Sequence, residues 1–512
     1  MSDQAKELYR QLRRLSWTNL WQTEVPRFNR ATTAERLQDA AVVRAVAVVF
    51  AEAGAVGEKD AVRTWLLGLL TDPCEKIRRY AVGALPKIGA DSQEESALLA
   101  LLNRTASPGE KKFVLEALEK IGGMATLAAL TDKNAPPRLE QKLRAGTARQ
   151  ADPSAIQMER VLTNPAGVVL HLRSRAGLET FVRAEVQESA ANAGKFRVER
   201  TAGGLVVVAA LAPFSLADIY QGRCFANVGF LLGRADPRGA NFVNSLARVI
   251  TSPLSRRILQ TWTNGTIRYR MNLPGQGHQR AFVRQLAEEV YALCPEILND
   301  ARDVTWTVDI YNQGGETATV ELRPNITPDP RFQFRLGDVP AASHPPLAAC
   351  LARLAGRMDH EVVWDPFCGS GLELIERGLL GGVERVVGTD LSQHAIEVAQ
   401  KNFTAAKLTG LPADFIRGDF REAAGKAIAP GSVSLIITNP PMGIRVPVAD
   451  RRSLMNDLFS TAAGMLRPGG RLVVVNPLQM EKAPFGLERQ FRQEVEMGGF
   501  VCRLEKYIKR TQ

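Results

Sequence analysis

The sequence predicts a multidomain protein: α-helical repeats first, then a mixed α+β segment, then an α/β domain with a mostly parallel sheet. Three observations carry this. Ile88-Gly89 and Ile121-Gly122 close two similar apolar units 33 residues apart. From about residue 166 short alternating runs replace that pattern. From Glu361 onward, apolar strands ending in Gly, Pro or an acid alternate with helical stretches. At 512 residues the chain exceeds what one core holds and divides into about three or four domains.

The helical units come first. Leu70-Thr71-Asp72-Pro73 opens one that runs through Ile77, Arg78, Ala81, Ala84 and Leu85; a second opens near Pro108 and runs through Lys111, Val114, Ala117 and Leu118. A weaker copy extends from Arg44 through Ala47 to Gly54. Apolar positions three and four apart, punctuated by Asp-Pro and Gly, describe paired helices that bury their faces against neighbours. The pattern resembles HEAT-like repeats, with an amphipathic bundle as the plainer alternative. Residues 132–165 are expected to be a solvated connector, because Pro136, Pro137, Gly146, Pro153 and Pro165 punctuate them and Lys133, Arg138, Lys142, Arg144 and Arg149 make them basic. The first domain, repeats plus basic linker, is therefore drawn at 1–150.

In the middle, strands are expected over 168–172, 196–198, 205–210, 266–271 and 304–310, and helices over 178–186 and 279–293. This segment, bounded at 160–330, resembles a THUMP domain through Leu170-His171-Leu172-Arg173-Ser174-Arg175-Ala176-Gly177-Leu178-Glu179 and Tyr220-Gln221-Gly222-Arg223-Cys224-Phe225-Ala226-Asn227-Val228. The resemblance implies RNA binding; an α+β domain with no RNA role is the alternative.

The chemistry is concentrated in 335–512. The apolar strand Glu361-Val362-Val363-Trp364-Asp365 runs into Pro366-Phe367-Cys368-Gly369-Ser370-Gly371 and then a helix. That order lets a ligand approach backbone near a positive helix end, although two glycines fall short of a dinucleotide fingerprint. A second strand ends at Asp390, where a ribose diol would be gripped, and Ser392 then caps a helix. A third ends in Arg417-Gly418-Asp419-Phe420, and a fourth, 433–438, enters Asn439-Pro440-Pro441-Met442-Gly443. Leu466-Arg467-Pro468-Gly469-Gly470 and the strand 471–475 follow.

This order resembles the class I, Rossmann-like methyltransferases that use S-adenosylmethionine. DPFCGSG with NPPMG resembles the branch that methylates amino groups held in conjugated systems. The resemblance implies that Asp365, Phe367, Gly369 and Gly371 hold the methionine part of the cofactor. Asp390, with Leu391 beside it, would lie at the ribose, and Asp419 with Phe420 at the adenine. Val339-Pro340-Ala341-Ala342-Ser343-His344-Pro345-Pro346-Leu347 is similar to the motif preceding the first strand in THUMP-containing guanosine methyltransferases, which would bring Ser343 and His344 to the methionine end. His344 has a helix-capping role as its alternative.

An exocyclic purine amine is a poor nucleophile because its lone pair is delocalised into the ring. The Asn439 side-chain oxygen and the Pro440 carbonyl can each accept one N–H, aiming the lone pair at the sulfonium methyl. Asn439 thus belongs to the catalytic and the cofactor-binding set alike, and Pro440 and Pro441 stiffen the loop. Its fourth position is usually aromatic in the family; here it is Met442, a weaker base-stacking surface.

The reading is an S-adenosylmethionine-dependent RNA methyltransferase acting on the N2 amine of guanosine in tRNA or rRNA. Two alternatives remain: an N6-adenine methyltransferase on RNA or DNA, and a non-catalytic RNA-binding or scaffold protein with a degenerate transferase domain. A net charge of +11 suits a polyphosphate partner such as structured RNA without proving one. The repeats are assigned either to a protein partner or to an extended RNA surface. Six cysteines without a CxxC pair read as reduced, mostly buried thiols, Cys368 as packing, and no metal site is expected. No run approaches the roughly 20 apolar residues of a membrane span, and no signal peptide is read at the start. A cytoplasmic protein is expected.

Overall fold

A computed structural model describes the chain except for residues 1–2, 55, 90–91, 132–136, 276, 278, 303, 314, 443–449, 480–485 and 511–512. At the front, the helices Ala41–Ala53, Glu75–Ala84 and Pro108–Ile121 pack side by side, with Lys59–Leu69 and Ser92–Arg104 between them in sequence. Starts at 59 and 92, and at 75 and 108, reproduce the 33-residue period. No helix pair could bury its apolar face alone. Stacking places Val42, Val46, Leu66, Ile77, Val82, Leu98, Val114 and Leu118 in one core. Buried carboxylates stitch successive units, each neutralised by an arginine: Arg63 Nη2 donates to Glu94 at 2.9 Å, and Arg78 Nη2 to Glu110 at 2.9 Å.

The connector expected over 132–165 is corrected: it holds the 15-residue helix Pro137–Ala151. Pro137 begins that helix, where a missing N–H is harmless. Leu139 and Leu143 pack on Leu130, while Ala145 and Ala148 pack on Tyr291 and Leu298. The segment therefore joins the helical front to the middle of the chain. Pro136 and Lys133 lie outside the described residues.

The middle is an eight-stranded mixed sheet in the order Leu298–Asn299, Arg268–Asn272, Trp306–Gln313, Thr317–Pro324, Asn227–Ala235, Val169–Arg173, Leu205–Ala210, Phe196–Ala202. All five expected strands and both expected helices are present, Leu205–Ala210 with its bounds as expected and the others with shifted ends. The helices Phe242–Ile250 and Pro253–Trp262 were not anticipated; they bury Leu246, Ile250, Ile258 and Trp262.

The last part holds strands β1 (Glu361–Asp365), β2 (Val383–Asp390), β3 (Ala413–Arg417), β4 (Val433–Thr438), β5 (Leu466–Asn476), β6 (Leu487–Glu496) and β7 (Val501–Lys509). Their order is β3-β2-β1-β4-β5-β7-β6, with β1 to β5 parallel and β7 antiparallel to both neighbours. Helices α1 (Pro345–Ala355), α2 (Leu372–Leu379) and α3 (Gln393–Ala405) flank it. Covered on both faces, the central strands are mostly apolar, and all six residues of β4 are buried. Strand order reverses between β1 and β4, which opens a crevice at their carboxyl ends.

The two sheets share one apolar core running from Leu162 to Leu504. Gly177, at φ +96°, lies against the Glu494 backbone where a Cβ would collide. Arg223 grips the buried Glu376 of α2 with two bonds of 2.7 and 2.8 Å. Among the described residues no helix is long and apolar enough to cross a membrane.

Candidate active site

A cavity of about 500 Å³ fills the crevice at the carboxyl ends of β1, β2, β3 and β4. The turn after β1 forms its floor. Gly369 and Gly371 have φ of +50° and +81°, a left-handed backbone that side chains disfavour. A Cβ on Gly371 would also press on Ala399 of α3 at 3.2 Å. The Gly369 N–H donates to Asp390 Oδ2 at 3.1 Å, and the Ser392 N–H donates to Asp390 Oδ1 at 2.8 Å. Asp390 therefore clamps the turn while its carboxylate faces the cavity. Beyond it, the Phe367 and Phe420 rings stand 4.9 Å apart as an aromatic wall. Asp419 caps the short turn Phe420–Ala423 and receives the Arg421 guanidinium at 2.8 Å.

At the other end of the cavity two carboxylates are buried. Asp365 is fully enclosed; its Oδ1 accepts the Thr438 hydroxyl at 2.6 Å and the Phe367 N–H at 3.0 Å, tying the end of β1 to that of β4. Its Oδ2 is buried without a hydrogen-bond partner. Burial, then the neighbouring Glu373 charge, pushes the Asp365 carboxyl well above the usual range. Burial likewise raises Glu373, which lines the cavity from the first turn of α2. Cys368 is enclosed and its thiol pushed well up by burial and the nearby acids, which leaves it inert.

Asn439, directly after β4, forms the wall facing these acids. Its Nδ2 donates to Ser343 Oγ at 2.8 Å, and the Ser343 hydroxyl donates to Glu373. The Asn439 Oδ1 is buried and unpartnered. The site thus offers acceptors and carboxylates to a cationic ligand, with one acceptor held in reserve at the crevice.

Residues 333–504 match the family of the RMKL-like methyltransferase domain, UPF0020. Over 177 residues the chain is 33% identical to the tRNA (guanine(10)-N2)-dimethyltransferase of Methanothermobacter thermautotrophicus, covering 34% of this chain and 50% of that protein. Over 173 residues it is 29% identical to the ribosomal protein L11 methyltransferase of Pseudomonas putida strain GB-1, covering 33% of this chain and 49% of that one. The chain thus spans about half the length of these relatives. The solved structure of TrmN from Thermus thermophilus shares the fold over 67% of this chain and 99% of its own, with a TM-score of 0.51 and 20% identity.

Within this methyltransferase-like domain, Ser343, Phe367, Gly369, Asp390, Leu391, Asp419, Phe420, Asn439 and Pro441 all line the cavity. Five other expected residues do not. Asp365 lies beneath the floor, and Gly371 serves the turn and its packing on α3. His344 occupies the cap position of α1 without a side-chain cap bond. Pro440 is buried behind the loop. Met442 turns toward β7, its Sδ 3.9 Å from Cys502 Sγ, because a flexible thioether fills the gap there. Gly443 lies outside the described residues. Sequence reasoning missed Glu373, although a carboxylate inside the apolar run Leu372–Ile375 is itself a signal that burial there has a purpose.

Proposed function

We propose that this chain is an S-adenosylmethionine-dependent methyltransferase that methylates the exocyclic N2 amine of guanosine in tRNA or rRNA. The single observation that carries the proposal is the Asn439 Oδ1: buried, unpartnered and placed where strand order reverses. A buried acceptor without a donor costs about 1–3 kcal/mol, so its retention argues for a donor that arrives with substrate. The residues fit the cofactor. Glu373 suits its ammonium, Asp390 its ribose diol, and Phe420 with Asp419 its adenine; Asp365 supports the floor beneath them. When bound, the cofactor supplies a methyl group on positively charged sulfur. The Asn439 oxygen accepts an amine hydrogen, turns the nitrogen lone pair toward the methionine end, and stabilises the positive charge that develops on the nitrogen. Ser343 holds the Asn439 amide in that orientation.

The tRNA guanine-N2 relative supports the base and the RNA class, and nothing among the relatives named favours adenine. Intact Asp390, Asp419 and Asn439 oppose a degenerate domain. The helical front, with its 33-residue stacking, is read as HEAT-like and the middle sheet as a THUMP-like RNA-binding part, with division near 1–150, 160–330 and 335–512 in a cytoplasmic protein. Nucleoside mass spectrometry of tRNA and rRNA from cells with and without this chain tests the proposal. Loss of N2-methylated guanosine is expected; loss of N6-methyladenosine, or no change, would overturn it.

A further inference from the structure

The acid set beside the cofactor's ammonium also contacts the neighbouring serine. Glu373 is 4% exposed, carried on the first turn of α2, and accepts the hydroxyl of Ser343. Ser343 in turn accepts the Asn439 Nδ2 at 2.8 Å. Three side chains from three separate elements therefore form one chain of hydrogen bonds ending at the loop after β4.

We infer that Glu373 is a positioning residue, which acts through Ser343 to fix the Asn439 amide with its oxygen toward the substrate amine. The inference rests on the methyltransferase reading above and adds a specific determinant to it. The argument is one of polarity. An amide can sit in a wall either way round, with its NH2 or its oxygen facing the cavity, and the two forms have nearly the same shape. Only the form with oxygen outward can accept an N–H from a nucleophile. A serine hydroxyl has one hydrogen. If that hydrogen is free, Ser343 can donate it to the Asn439 oxygen, turning the NH2 outward and presenting a donor where catalysis needs an acceptor. A carboxylate has no hydrogen to give and draws the hydroxyl hydrogen to itself, so Ser343 is left only an acceptor for Asn439. Glu373 thus enforces direction along the chain.

Burial sharpens the restraint, because an unsatisfied polar group costs more where the local dielectric is low. The charged groups that face Glu373 are themselves carboxylates, Asp365 from β1 and Glu376 on α2; Arg223 is engaged with Glu376 rather than with Glu373. Holding a third acid in such company is costly, and a leucine would fill the same volume in the apolar run of α2. Directing the amide is a reason to hold it.

The test uses the full chain, with substitutions Glu373→Leu, Glu373→Gln and Ser343→Ala. Methyl transfer is read from labelled S-adenosylmethionine at saturating cofactor into bulk tRNA of a strain lacking this chain. Glu373→Leu should lower kcat about tenfold or more, the loss expected from one misdirected hydrogen bond, with KM for tRNA little changed. Glu373→Gln, able to accept or donate, should fall between. In the Ser343→Ala background neither Glu373 substitution should lower kcat further, since the message passes through Ser343. A second readout needs neither substrate nor turnover: the side-chain 15N–1H resonances of Asn439, identified by their loss in Asn439→Ala, should move in both Glu373→Leu and Ser343→Ala. Additive losses in the double variants, or unmoved Asn439 resonances in Glu373→Leu, would overturn the inference. Wild-type protein that transfers no methyl group to RNA would instead count against the function proposed above, while the resonances still decide the role of Glu373.

Discussion

Replacing Asn439 by alanine should separate catalysis from stability in opposite directions. The Asn439 amide makes one hydrogen bond, to Ser343, and leaves its oxygen buried without a partner. Truncation loses that bond, worth about 1 kcal/mol, and removes an orphaned acceptor whose burial costs about 1–3 kcal/mol. Asn439 lines the cavity, so its missing atoms enlarge an open space rather than leave a void in the core. The balance runs from neutral to about 2 kcal/mol more stable, and each kcal/mol moves the melting temperature of a domain of this size by about 2–4 °C. Turnover loses a preorganised acceptor, which costs about 10²–10³ in kcat. The assays are labelled methyl transfer, calorimetric binding of S-adenosylhomocysteine, and thermal unfolding of the same preparation. A fall in kcat of that size with unchanged cofactor affinity and an equal or higher melting temperature is expected. A melting temperature lowered by several degrees with near-normal turnover would show Asn439 to be structural.

Three further expectations follow from the same geometry. Asp365→Asn keeps the oxygen that accepts from Thr438 and Phe367 but removes a charge whose pKa is raised in the folded state. Such a group favours folding fully below its unfolded pKa and loses that contribution as pH rises through the folded value. The variant should therefore melt higher than wild type at pH 8, the gap should close toward pH 4, and a constant gap would contradict the assignment. Asp390→Ala should weaken S-adenosylhomocysteine binding by about 10- to 100-fold, the loss of charged hydrogen bonds, read by calorimetry; unchanged affinity would remove Asp390 from the ribose. Arg223→Ala strands the buried Glu376 and should cost about 3–5 kcal/mol in denaturant unfolding, while Arg223→Met with Glu376→Leu should recover most of it.

The five parallel strands of the C-terminal sheet were legible because their signals are local, whereas the antiparallel β6 and β7 were not read. β1 and β2 are apolar runs that stop at Asp365 and Asp390, and the glycine turn between them sits where φ must be positive. The 33-residue spacing was legible for a similar reason, since each unit repeats its own packing needs. What sequence could not show was direction and depth. Asp365 and Asp390 look equivalent as strand-end acids, yet one is sealed under the floor and the other faces the cavity, a difference set by Thr438 and Gly369 from distant segments. Pro137 and Gly146 read as breakers because their helix is stabilised by Tyr291 and Leu298, far along the chain. Met442 was placed by a partner sixty residues away, Cys502, that no local pattern announces.

The shared core between the two sheets has a consequence for how a long substrate is selected. Gly177 seated on the Glu494 backbone and Arg223 locked to Glu376 fasten the part that follows the helical front to the part that holds the cavity. Under the RNA reading proposed above, a polymer grasped on the first would be offered to the second at a constant reach and angle. Discrimination would then resemble a caliper set to one opening, with the nucleotide at Asn439 chosen by its number of steps from the grip.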